Sequence, residues 1–202
     1  MKKLKFIGIP IILGAILLSL ALLLLLSAKA SDPPYWPIAG MFSYILPESG
    51  YQTESRPDHL GVDIAGIPNS GVIAYQKGIV VYTFDGCGHV DDWNPIYGKQ
   101  ECKCAGGGYE RYLFTRFGNC VLISHDGGTY FTLYAHLKQG TLTARIGQSV
   151  AAGQRLGAIG SSGKSTSPHL HFAISEKATF TPIDPTDYLK STARLISPIA
   201  LD

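Results

Sequence analysis

His169-Leu170-His171 places two imidazoles one residue apart, and the residues around them set their direction. Leu170, Phe172 and Ile174 alternate with His169, His171 and Ala173, the period of a half-buried strand, which sends both histidines to one face. Far upstream, His59-Leu60-Gly61-Val62-Asp63 sets a third imidazole and a carboxylate four residues apart. Nitrogen and oxygen donors of this kind bind Zn²⁺ at about 2.0–2.2 Å, and a zinc ion with one open position activates water and polarises a carbonyl. An extended chain would hold residues 59 and 63 roughly 13 Å apart. The backbone must therefore turn between them, and Gly61 permits the turn. Gly61 and Pro57 disfavour a helix, so this is not a helix-borne H-E-x-x-H motif. For residues 169 and 171 taken alone, two polar positions on a solvated strand face are the plain alternative.

The elements that would carry these groups are strands. Short apolar runs rich in β-branched and aromatic residues recur between glycines: Val72 to Tyr75, Ile79 to Tyr82, Val121 to Ile123 and Tyr130 to Tyr134. Asp126-Gly127-Gly128 between the last two is a hairpin signal. Beyond the first thirty residues no segment has a long helical period, so the expected fold is mostly β. Two glycine-punctuated units, Gly147-Gln148-Ser149-Val150 and Gly153-Gln154-Arg155-Leu156-Gly157, also occur in carrier domains of the lipoyl type, but no lysine stands at a hairpin tip here. Ala158 to Ser165 is a relaxed match to a phosphate-binding P-loop. It lacks the first glycine and runs into Ser167-Pro168 and a strand instead of a helix.

His59-Leu60-Gly61-Val62-Asp63, Tyr134-Ala135-His136-Leu137 and Gly160-Ser161-Ser162-Gly163 followed by Pro168-His169-Leu170-His171-Phe172 occur in that order. With them the chain, from about Arg56 to Leu189, resembles the lysostaphin-type (LytM-type) zinc endopeptidases of bacterial cell walls. The resemblance implies a single domain of antiparallel sheets, lysostaphin-like and of the barrel-sandwich-hybrid type. It implies Zn²⁺ as cofactor, held by His59, Asp63 and His171, with His136 and His169 as the catalytic pair that moves protons and steadies the oxyanion. The implied activity is hydrolysis of peptide bonds by a metal-activated water, with peptidoglycan or its peptides as partner. The alternative is a relative that binds the wall and activates other hydrolases without cutting. Ser167 and Ala173 depart from the family's usual glycine and acidic residue, and neither is an expected ligand. His125, beside the Asp126-Gly127 turn, reads as structural.

The chain has 202 residues, and its first thirty read as an anchor or signal segment. Lys2, Lys3 and Lys5 precede an uncharged run from Phe6 to Leu26 of about 21 residues, long enough for one N-terminal transmembrane helix. The lysines orient it with the domain extracytoplasmic, which places the protein at the cell membrane. Ala28-Lys29-Ala30 offers the alternative of secretion after cleavage. Without Lys2, Lys3, Lys5 and Lys29 the balance of 17 basic and 15 acidic residues becomes 13 and 15, with no nucleic-acid footprint. The expected division is 1–30 anchor, 31–55 a proline-rich linker, 56–190 the zinc endopeptidase domain and 191–202 a tail.

Within the domain, 85–118 reads as an inserted loop that contains His89, which has no assigned role, and Cys87, Cys102 and Cys104. With Cys120 these cysteines lie on the exported side, where disulfides persist. A bridge between Cys102 and Cys104 would be strained, leaving 87–102 with 104–120, or 87–104 with 102–120. A second zinc on Cys87, His89, Cys102 and Cys104 is the competing reading.

Overall fold

The computed structural model describes residues 33–40, 42–45, 47–87, 116–125 and 129–192. Ten strands appear among them: β1 (Ser43–Ile45), β2 (Val62–Gly66), β3 (Gly71–Ile73), β4 (Gly78–Phe84), β5 (Asn119–Ser124), β6 (Tyr130–Leu137), β7 (Ser149–Val150), β8 (Arg155–Ala158), β9 (Leu170–Glu176) and β10 (Pro182–Ile183). A short helix, α1 (Thr186–Lys190), follows. The main sheet runs β1-β2-β9-β6-β5-β4-β7 with β10 on β9, and β3 pairs with β8 in a second, two-stranded sheet. Every pairing is antiparallel. The mostly-β antiparallel fold expected from the alternating runs is the fold the chain forms.

Register decides which side chains share a face. Asp63 lies opposite His171, and His171 lies opposite Ala135, so the two donor-bearing strands meet at one row across β2, β9 and β6. The residues between point the other way into the core: Val62, Ile64, Leu170, Phe172, Ile174 and Tyr134 are all buried. Burying apolar side chains of this size stabilises by about 1.5–3 kcal/mol each. The floor of the site is therefore a core sheet and not a loop. Tyr134 is anchored further by its hydroxyl, which accepts the Tyr75 N–H at 2.7 Å. His125 is buried with its two ring nitrogens on Lys77 O at 2.9 Å and Thr132 Oγ1 at 2.8 Å, a structural brace as its turn position suggested.

The stretch expected as a linker belongs to the fold. The compact unit begins at Pro33, Trp36 and Ile38 are in the core, and β1 extends the main sheet at its edge. Prolines and irregular spacing mask this, because the backbone here bonds to distant partners: Tyr35 N–H to Tyr75 O at 2.7 Å, Ala39 N–H to Gly71 O at 2.9 Å. Both expected cysteine schemes need correction at Cys120, which each placed in a bridge. Cys120 is a free thiol, 2% exposed in a strand facing Phe84, and burial pushes it up to about 12. Cys87 is disulfide-bonded, with its partner outside the described residues. The anchor 1–30, His89, Cys102, Cys104 and the end of the tail also lie outside them. Among the described residues no helix is long and apolar enough to cross a membrane.

Candidate metal centre and its flanking histidines

His59, Asp63 and His171 converge on one point. His59 Nε2 is 3.0 Å and His171 Nδ1 2.9 Å from Asp63 Oδ1, and the two nitrogens are 3.1 Å apart. All three residues are buried. Gly61 makes this approach possible, though not through its turn: a Cβ there would lie 2.7 Å from His171 Cε1 and 2.8 Å from the Phe172 carbonyl oxygen. The glycine is needed for closeness of packing.

The tautomer of His59 is set from outside the cluster. Its Nδ1 lies 2.8 Å from the Gly50 carbonyl oxygen, which can only accept, so Nδ1 carries the proton and Nε2 points a lone pair at the cluster. That lone pair faces a carboxylate oxygen and a second imidazole nitrogen. Burial alone would raise the Asp63 carboxyl, but its contacts with His169, His171 and His59 outweigh that and hold it well below the usual carboxylate range. Two imidazole nitrogens and a carboxylate oxygen thus lie within 3.1 Å of one another, a spacing from which all three can reach one shared cation. Two imidazoles and one carboxylate, one imidazole braced by a backbone carbonyl, are a donor set that suits zinc.

His136 and His169 stand beside this cluster. Strict alternation in β6 would point His136 into the core with Tyr134. A register shift opposite Asn119 and Val121 and a left-handed backbone at His136, φ 62°, turn it back towards the site, a bulge that re-aims a side chain. Its ring centroid is 4.8 Å from that of His169 and 5.8 Å from that of His171. His136 Nδ1–H donates to Ser162 O at 2.7 Å and His169 Nδ1–H to Ser167 O at 2.7 Å, so in both rings Nε2 is the proton acceptor. His169 Nε2 is 3.5 Å from Asp63 Oδ1.

Burial pushes His136 well below the ordinary imidazole value of 6.5, with His169 and His171 adding to it. His171 is lowered as well, chiefly by burial and against the pull of Asp63. Both therefore take up a proton less readily when folded than in the unfolded chain, where protonation sets in below about 6.5. Stripped of metal by a chelator, the domain is expected to lose stability as pH falls from about 7.5 to about 5.5. The loss is roughly 1 kcal/mol per pH unit for each histidine still neutral in the folded state. Denaturant melts across that range check it, and a flat profile would show that these imidazoles take up protons as readily in the folded site as in the unfolded chain.

The wall of the site is loop 160–165, clamped to the start of β5. Ser162 Oγ donates to Leu137 O at 2.8 Å and accepts the Asn119 N–H at 2.9 Å. Gly118 and Gly163, both left-handed, touch backbone to backbone: a Cβ on Gly118 would lie 2.4 Å from the Ser162 carbonyl carbon. Phe117 leans on His171, ring centroids 5.7 Å apart, as an apolar flank. Neither Phe117 nor the Gly50, Ser162 and Ser167 carbonyls were foreseeable, since a backbone carbonyl has no side-chain signature. Arg56 carries no site signal in the sequence, yet its Nη1 donates to Asp63 Oδ2 at 2.6 Å.

The profile described as Peptidase family M23 matches residues 57–185. The chain belongs to peptidase family M23. It is 46% identical over 57 residues to the peptidoglycan DD-endopeptidase ShyA of Vibrio cholerae, covering 28% of this chain and 13% of that protein. It is 33% identical over 135 residues to the murein hydrolase activator NlpD of Escherichia coli, covering 67% and 27%. Lysostaphin from Staphylococcus simulans shares the fold, with a TM-score of 0.52 at 22% identity over 87% of this chain and 60% of that one. The chain spans half or less of the length of the first curated relatives it matches. In this M23 domain the two departures from the usual pattern remove no donor: Ser167 contributes its carbonyl, which glycine would also supply, and Ala173 pairs with Leu133 on the sheet.

Proposed function

We propose that this M23 domain is a zinc-dependent endopeptidase that hydrolyses peptide bonds of peptidoglycan, held outside the cytoplasm by its N-terminal segment. The observation that carries the reading is the convergence of His59, Asp63 and His171 with two further imidazoles whose acceptor nitrogens are set by backbone carbonyls. Zinc held by those three residues would act as a Lewis acid towards a peptide carbonyl and make water a better nucleophile. His136 and His169 supply the proton traffic: each Nε2 can take a proton as water attacks and return it to the leaving amine, and once protonated can donate to the developing oxyanion. Asp63 holds negative charge beside both rings, which favours their protonated forms as the reaction proceeds. Phe117 and the sheet floor exclude water from one side, strengthening these interactions.

Likeness to NlpD, named as a murein hydrolase activator, supports a second reading, in which the domain binds the wall and stimulates another hydrolase. All five candidate residues are present here, which favours the enzyme. Purified peptidoglycan incubated with the zinc-loaded full chain is expected to release new amine termini, and a chelator is expected to abolish the release. Bound zinc without new amines would instead support the activator.

A further inference from the structure

We propose that Arg56 is a positioning residue that makes Asp63 a one-oxygen ligand to the metal, an inference that rests on the zinc reading above. The two oxygens of Asp63 have different surroundings. Oδ1 faces His171 Nδ1 at 2.9 Å, His59 Nε2 at 3.0 Å and His169 Nε2 at 3.5 Å. Oδ2 is turned away and accepts from Arg56 Nη1 at 2.6 Å. A carboxylate without such a partner can offer a metal both oxygens. Here the guanidinium occupies one and fixes the rotamer that presents the other.

Arg56 is itself held by the chain. Its N–H donates to Thr53 O at 2.9 Å, and its carbonyl accepts the His59 N–H at 3.0 Å. Pro57 follows and restrains Arg56 to extended backbone. The same turn brings Gly50 O to His59 Nδ1. One segment, residues 50–59, thus carries the outer supports of two of the three donors.

Two effects of Arg56 on metal binding oppose each other. Its charge repels a cation, but its side chain is 44% exposed against 11% for Asp63, so water and counterions damp the repulsion. Its hydrogen bond acts at contact, and outer-shell partners of this kind typically contribute about 10–100-fold in metal affinity. Orientation therefore wins, and removing Arg56 weakens binding.

The test is chelator competition for zinc on the full chain, Arg56→Ala and Arg56→Lys, with visible absorption of the cobalt-loaded proteins and melting of the metal-free ones. Arg56→Ala is expected to bind zinc about 10–100-fold more weakly. Its cobalt bands should weaken as a second carboxylate oxygen joins the coordination, while metal-free melting barely moves. Arg56→Lys, which keeps one donor, should recover most of the affinity. Equal or tighter zinc binding by Arg56→Ala with unchanged cobalt bands overturns the proposal. So does a weakening that tracks lost metal-free stability and is not rescued by lysine. If the unsubstituted chain binds no zinc, the metal reading falls as well, and the two failures are thereby distinguished.

Discussion

Asp63→Ala and His171→Ala are each expected to fold but to retain no zinc through dialysis, and to lose hydrolysis with it. Each replacement leaves two protein donors where three converge within 3.1 Å. Four-ligand zinc sites bind with about 10–16 kcal/mol, so one donor contributes roughly 3 kcal/mol on average, a factor on the order of 10² or more. Asp63 carries the only negative charge in the set, and its loss should be the greater. The fold survives because Asp63→Ala frees a half-exposed guanidinium and not a buried one, while His171→Ala opens a gap beside Phe117 outside the main core. Metal content after dialysis, set beside peptidoglycan hydrolysis, reads both effects. Full zinc retention by either variant would mean that the first coordination shell is drawn from other histidines.

His136→Ala should show the opposite pairing, with zinc retained and turnover reduced by about 10²–10⁴-fold, the usual contribution of a general acid–base group. The ring stands beside the cluster, 5.8 Å from His171 by centroid, and its Nδ1–H donates to Ser162 O. Its left-handed backbone complicates an alanine, which tolerates φ 62° poorly. His136→Asn suits that conformation, lacks the base, and separates catalysis from strain. His169→Ala tests the neighbouring ring. At 3.5 Å from Asp63 Oδ1 it should cost far less zinc than Asp63→Ala while slowing turnover comparably. If His136→Asn turned over at the unsubstituted rate, the base would have to be sought elsewhere.

The parts of this site that were legible in the sequence are those written in side chains at regular spacing. His169 and His171 sit where strand alternation puts them, and Asp63 meets them because β2 and β9 pair in register. What escaped was written in backbone or in distance. His136, which the resemblance names, reaches the site only through a bulge, and it is this bulge that no alternation rule anticipates. Residues 31–55 read as linker because prolines interrupt any period, yet Ile38 pairs with Val72 and Gly50 orients a donor. Cys120 reads as half of a bridge from its compartment, whereas it is a free thiol buried in its strand. Arg56 has no periodic signature, and its importance lies in a contact seven residues along.

The mutual hydrogen bonds of Cys87 and Asn119 hold together the two ends of the sequence between them. Cys87 N–H donates to Asn119 Oδ1 at 2.7 Å, and Asn119 Nδ2 donates back to Cys87 O at 2.8 Å. The amide side chain thus closes the two ends of the intervening sequence as a strand partner would. Asn119 also reaches Leu137 O and, through its own N–H, Ser162. Once the ends are held, the entropy of closing the loop grows only logarithmically, about 0.6 kcal/mol for each doubling of its length. A longer or shorter sequence between those two residues therefore costs little, while Ser162, whose carbonyl orients His136, stays bonded to Asn119. The clasp separates the length of that connection from the geometry of the site.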